Sequence, residues 1–163
     1  MNKTEQLYLE DLRVGQRFTS GSYVMEAARI KEFATEFDPQ PFHLDEAAAE
    51  ASLFKGLAAS GWHTPAVAMR LLVTGGLPFA NGLVGLRGEI AWPRPTRPGD
   101  ILNVESEIIA ITPSRSKPNQ GVVTVRGTMF NQNGRSFTCS LRSSWYIVAH
   151  LRNECDLTFH RRL

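Results

Sequence analysis

The chain has few cysteines: only Cys139 and Cys155 occur in 163 residues. Two thiols in a chain of this length cannot supply the disulfide framework of a small secreted fold, so they read as reduced side chains of a cytoplasmic protein. Charge of one sign is scarce too. Lys and Arg number 18 against 16 Asp and Glu, a formal net charge of +2. That balance lacks the dense basic stripe a nucleic-acid partner requires. No apolar run approaches the roughly 18 residues of a membrane span. The opening Met1-Asn2-Lys3-Thr4-Glu5 has no signal-peptide core. Zinc-finger spacing, a glycine-rich phosphate loop and internal repeats are all missing, so neither a metal nor a bound cofactor is expected. The expectation is one soluble domain over residues 1–163, cytoplasmic, with no nucleic-acid or membrane partner.

What is present is hydrophobic patterning, at 42% apolar residues. Residues 7–25 read as a lead-in with one or two short strands. Ile30, Phe33, Ala34 and Phe37 fall at i, i+3, i+4 and i+7, which predicts an amphipathic helix over about 26–37. Asp45 reads as the N-cap of a short helix over Glu46–Ser52. Trp62–Thr74 is apolar on nearly every side, with Arg70 its only formal charge, and predicts a buried helix. Pro65 is tolerable only in its first turn, and Ser60 or Thr64 is placed to cap it. His63 reads as a polar residue at the helix start, while Glu32 and Glu36 read as the wet face of the first helix.

From residue 82 the period changes to two. Val84, Leu86, Ile90 and Trp92 share one strand face, and Leu102, Val104, Ile108 and Ala110 share the next. Val123, Val125 and Met129 mark a third strand, and Phe137, Cys139, Leu141, Trp145 and Ile147 a fourth. Asn133-Gly134 is a hairpin signal, and Gly99-Asp100 closes a turn after a proline-rich stretch. The pattern predicts an α+β fold in which a long antiparallel sheet wraps around one central apolar helix. Its exposed edges predict at least a homodimer. The core is expected over about 10–148, with 149–163 as a surface tail.

The segment richest in chemistry is Asp38-Pro39-Gln40-Pro41-Phe42-His43, followed by Asp45. Each proline fixes its own φ and pushes the residue before it out of the α region. The segment is therefore expected to be a rigid, non-helical loop holding a carboxylate and an imidazole, a pairing suited to acid/base work on water. Phe33, Phe37 and Phe42 surround it, and desolvation by them is expected to raise the Asp pKa and lower the His pKa.

These residues carry a resemblance. The run Phe33-Ala34-Thr35-Glu36-Phe37-Asp38-Pro39-Gln40-Pro41-Phe42-His43-Leu44-Asp45 resembles the pattern of an aromatic followed by Asp-x-Asn-Pro-x-His-x-Asp. That pattern belongs to the MaoC-like dehydratases and (R)-specific enoyl-CoA hydratases. Ala59-Ser60-Gly61-Trp62, Trp92-Pro93-Arg94-Pro95 and Pro98-Gly99-Asp100 are similar to later parts of the same family, so the likeness spans about residues 10–148. It departs at Gln40, where the family usually has Asn, and at Phe37, where many members have Gly.

The resemblance implies a hot-dog fold and reversible hydration of a trans-2-enoyl-CoA. It implies Asp38 and His43 as the catalytic pair around one water, with CoA as part of the substrate. The thioester oxygen gains negative charge in the transition state, and the unpaired N–H groups at the apolar helix's N-terminus suit it. The Gly61 N–H is the expected oxyanion donor. Phe37, Gln40 and Trp62 are expected to border the acyl group. Arg94 and Arg97 on the proline-rich turn, with Arg115 and Lys117 on a second basic loop, are expected to meet the CoA phosphates. Two alternatives remain. A thioesterase of the same fold would place its carboxylate near the central helix, yet residues 62–74 contain no Asp or Glu. A non-catalytic acyl-CoA-binding module would not need both Asp38 and His43.

Overall fold

A computed structural model describes residues 6–134 and 139–152. Short strands β1 (Arg17–Thr19) and β2 (Tyr23–Val24) lead into helix α1 (Ala27–Phe37), the turn-length helices α2 (Pro41–Leu44) and α3 (Glu46–Ala51), and helix α4 (His63–Leu71). Four long strands follow: β3 (Val84–Ala91), β4 (Ile101–Pro113), β5 (Gln120–Phe130) and β6 (Cys139–His150). They form an antiparallel sheet in the order β1-β4-β5-β6-β3, and β2 pairs with β4 beyond β1.

The core lies between α4 and one face of this sheet. Leu102, Val104 and Ile108 of β4 point inward at alternate positions, as do Val123, Val125 and Met129 of β5. They pack with Val67, Ala68, Leu71 and Leu72 from α4 and the turn after it. This period-2 face against a helical stripe is what the patterning predicts, because only that arrangement takes both apolar surfaces out of water.

Four details differ from the expectations. The central helix stops at Leu71 and passes into a π-helical turn over Leu72–Gly76, where Thr74 and Gly75 leave helical geometry. Gly75 takes φ +134°, a conformation open to glycine and costly for other residues. The helix is also not buried all round, since Ala66, Arg70 and Val73 are exposed. On β3 the alternation fails: Val84 and Leu86 are 53% and 61% exposed, and a register shift falls between Gly85 and Arg87. The whole strand is exposed apart from a half-buried Ile90, as the last strand of the described sheet. Finally, Pro41–Leu44 forms a helical turn within the segment expected to be non-helical. Pro41 occupies its first position, where a missing N–H and a fixed φ are compatible with helix.

Phe137 and the tail from residue 153, with Cys155, lie outside the described residues, and so does the packing expected of Cys139, Leu141 and Trp145. No described helix is long and apolar enough to cross a membrane.

Candidate active site

Helix α1 delivers Asp38 to the site. The Asp38 N–H still bonds to the Ala34 carbonyl at 3.0 Å, but its φ of −155° and ψ of 68° have left the helix. Pro39 enforces that exit by excluding the α region from the residue before it. Gln40 is extended and Pro41 restarts the chain as α2, whose third residue is His43. Asp45 then caps α3 by accepting the Ala48 N–H at 2.8 Å, as its position before an alanine-rich run predicts.

Two prolines thus turn one carboxylate and one imidazole toward each other. His43 Nε2 lies 3.4 Å from Asp38 Oδ2, and the His43 ring is 3% exposed. The other ring nitrogen, Nδ1, is 2.8 Å from the Ala58 carbonyl. A carbonyl only accepts, so Nδ1 carries a proton, and the tautomer this selects is the one with its lone pair on Nε2. Asp38 receives two donors. Ser60 Oγ donates to Oδ2 at 2.7 Å, and Gln40 Nε2 donates to Oδ1 at 2.7 Å.

These donors reverse the expected direction of the Asp38 pKa. Burial pushes the carboxyl up, but the hydrogen bonds from Ser60 and Gln40, with the neighbouring His43, outweigh it and hold Asp38 below the usual carboxylate value. The hydroxyl and amide that overcome burial were not assigned that part. Ser60 was foreseen only as a cap, and its placement beside Gly61 at the helix start was the one available signal.

The start of α4 closes the site. Ser60 Oγ also accepts the Trp62 N–H at 3.1 Å, which fixes the turn before the helix. Trp92 Nε1 donates to the Gly61 carbonyl at 2.7 Å and so orients the Gly61 peptide. The Gly61 N–H has no acceptor among the described residues. A Cβ added at Gly61 would meet Trp92 at 3.6 Å, an ordinary contact, so the glycine is not demanded by crowding. Trp62 and Trp92 meet edge to face at 5.8 Å.

A cavity of about 430 Å³ joins these parts. Asp38, His43, Gly61, Gln40, Trp62 and Arg94 all border it, with Phe42 and Phe54 as apolar wall. Four other residues expected at the site are elsewhere. Phe37 is 62% exposed and faces a different cavity. Arg97 is turned inward: its guanidinium donates to the carbonyls of Phe54, Gly56 and Leu57 and ties down that loop. Three of its five N–H donors are committed to that loop, and Arg97 does not border the cavity. Arg115 and Lys117 sit at the β4–β5 turn, at the far end of a 13-residue strand from Arg94. At about 3.3 Å per residue that is roughly 40 Å of strand. The described residues hold no cluster of His, Cys, Asp and Glu suited to a metal.

The chain is similar to known proteins in sequence and in fold. The sequence model of the MaoC like domain matches residues 12–129. The solved MaoC-like dehydratase from Rhodospirillum rubrum is 56% identical, with a TM-score of 0.87 over 90% of this chain and 99% of that one. The R-hydratase PhaJ1 from Pseudomonas aeruginosa is 27% identical, with a TM-score of 0.73 over 90% of this chain and 88% of its own. An uncharacterized protein of Bacillus subtilis, YdeM, is 31% identical over 76% of this chain and 87% of its own length. The antiparallel sheet around α4 is the hot-dog fold of these structures. The Asp38–His43 loop and the helix start at Gly61 both fall inside the matched region, and the chain belongs to the MaoC-like dehydratase family.

Proposed function

We propose that the protein is a hydro-lyase that reversibly hydrates a trans-2-enoyl-CoA, or dehydrates the corresponding 3-hydroxyacyl-CoA, with Asp38 and His43 holding one water. The observation that carries this reading is the 3.4 Å approach of His43 Nε2 to Asp38 Oδ2, with Nδ1 bound to the Ala58 carbonyl. With Nδ1 donating to Ala58, the neutral ring leaves Nε2 an acceptor, like Asp38 Oδ2. A water in the cavity, to one side of the line joining them, points one O–H at each and keeps a lone pair free for the substrate's Cβ. Asp38, ionised at neutral pH, takes a proton from the water as the C–O bond forms. One proton returns to Cα, so the addition balances as one water across the double bond.

Negative charge on the thioester oxygen needs a donor, and the unpaired Gly61 N–H beside Asp38 suits it. Arg94, on the rim of the cavity, is the side chain offered to the CoA phosphates. The family membership and the likeness to an R-hydratase support the reaction class. Mixing the protein with crotonyl-CoA and longer trans-2-enoyl-CoAs, and following loss of the conjugated-enoyl absorbance, tests it. Hydration of some chain length is expected. Release of free thiol without hydration indicates the thioesterase instead, and no reaction with any chain length indicates a binding module.

The reading includes a second copy of the chain. β3 is the last strand of the sheet and shows Val84 and Leu86 to solvent on an open edge. Edges of that kind invite pairing. Sedimentation velocity is expected to show at least a dimer, with Leu86→Arg weakening it; a wild-type monomer at micromolar concentration contradicts it.

A further inference from the structure

A second cavity, of about 400 Å³, lies against the same two segments as the first. Asp38 borders the first cavity and Phe37 the second; Trp62 borders the first and His63 the second. Neighbouring Cα atoms are about 3.8 Å apart. The two cavities share no lining residue, but neighbours in sequence border them at both segments, Asp38 beside Phe37 and Trp62 beside His63.

Its most unusual wall is His63. The ring is 5% exposed and stacks on Phe33 at 4.4 Å with 5° between the planes. Its Nδ1 is buried with no hydrogen-bond partner among the described residues. An unpaired buried nitrogen costs free energy that a leucine of similar size would not incur, so stacking alone does not account for a histidine. Burial also lowers the His63 pKa, which keeps the ring neutral. A neutral imidazole offers one donor and one acceptor.

The charges around it balance. Arg29 and Glu32 pair at 2.7 Å, and Arg70 and Glu36 add one charge of each sign. Arg70 lies over the Tyr23 ring, 6.0 Å from its centroid. The lining has no net charge with which to select an ion, while Phe33 and Phe37 offer apolar surface for methylene groups.

We propose that this cavity receives the distal part of the acyl chain and that His63 hydrogen-bonds an uncharged oxygen there, so that the substrate is an enoyl thioester bearing a hydroxyl or keto group beyond C3. This rests on the hydro-lyase reading and adds a substrate class to it. His63 is then a specificity residue for the acyl group and takes no part in the handling of water.

The test compares trans-2-enoyl-CoAs of five to eight carbons in three matched forms: unsubstituted, with a terminal hydroxyl, and with a terminal carboxylate. Wild type, His63→Leu and His63→Gln are assayed, with a thermal melt confirming that each is folded. For at least one chain length, the hydroxylated compound is expected to show kcat/KM at least about tenfold above the unsubstituted one in wild type. His63→Leu is expected to bring that ratio near unity by improving the unsubstituted substrate, and His63→Gln to keep part of the preference. Equal rates for hydroxylated and unsubstituted compounds in wild type, a preference for the carboxylate, or a ratio unchanged in His63→Leu overturns the inference and leaves the hydro-lyase reading intact. Failure of wild type to hydrate any compound overturns both.

Discussion

Ser60 Oγ donates a hydrogen bond to Asp38 Oδ2 at 2.7 Å across 22 positions of sequence, and the same oxygen accepts the Trp62 N–H at 3.1 Å. One hydroxyl therefore couples the carboxylate to the helix start that carries Gly61. Ser60 is fully buried, so water does not replace it readily.

Ser60→Ala tests that coupling through pH. The Ser60 bond lowers the Asp38 pKa, so its loss raises it. The acidic limb of kcat/KM due to Asp38 is expected below the ordinary value of 3.8 in wild type and at higher pH in the variant. A pH–rate profile reads this directly, and an unmoved limb contradicts it. The same sign governs stability. A carboxyl with a depressed folded pKa stabilises the protein above its unfolded pKa, and that contribution is lost as pH falls through the folded value.

Arg97 separates a loop anchor from a phosphate ligand. Its guanidinium bonds three backbone carbonyls of the 54–57 loop, where Gly56 takes φ +133°. The same loop carries the cavity wall Phe54 and precedes Ala58, whose carbonyl orients His43. Arg97→Met is expected to cost about 2 kcal/mol of stability, since bonds to a charged donor are worth more than neutral ones. For a domain of this size that is a fall in Tm of roughly 4–8 °C. A variant with unchanged Tm and a raised KM for CoA substrates contradicts the assignment.

Arg94 behaves in the opposite way. It is exposed on the cavity rim and makes no ion pair among the described residues. Arg94→Ala is expected to leave Tm within about 1 °C, as surface changes usually do. It is expected to raise KM several-fold at low salt, with a smaller effect at high salt because the contact is screened. Steady-state kinetics at two ionic strengths check it.

Much of this site was legible from sequence because its main elements are local. Proline at 39 and 41 constrains the chain wherever it occurs, and the 30-33-34-37 spacing predicts the helix that ends at Phe37. The strands of the sheet were legible for the same reason, since alternation is a local signal. What could not be read depends on contacts between distant residues. Nothing near Ser60 in sequence says that it meets Asp38. Nothing near Arg97 says that its fork points inward to residues 54–57 and not outward to a phosphate. The pKa of Asp38 was misjudged in direction because the apolar neighbours are adjacent in sequence while one of its two hydrogen-bond donors, Ser60, is remote. On β3 the hydropathy pattern could not show that the strand ends the sheet and lies exposed along nearly all its length, Val84 and Leu86 included.

His63→Leu has a consequence for the free protein as well. The buried ring resists protonation in the folded state, whereas the unfolded chain takes up a proton near 6.5. Its depressed pKa thus makes stability full above about 6.5 and declining as pH falls below that value. The variant is expected to melt at or above the wild-type temperature and to lose less stability between pH 7 and pH 5, measured by thermal unfolding in a pH series. A variant that melts well below wild type at every pH would instead show that the histidine contributes packing a leucine cannot replace.

The central claim is that Asp38 and His43 share one water. Its most direct measurement is the steady-state hydration rate of Asp38→Asn and His43→Ala beside wild type, on whichever trans-2-enoyl-CoA wild type turns over best. Removal of either group is expected to lower kcat by roughly 10²- to 10⁴-fold, the usual worth of a positioned acid or base, while KM changes little. Full activity in either variant contradicts the account.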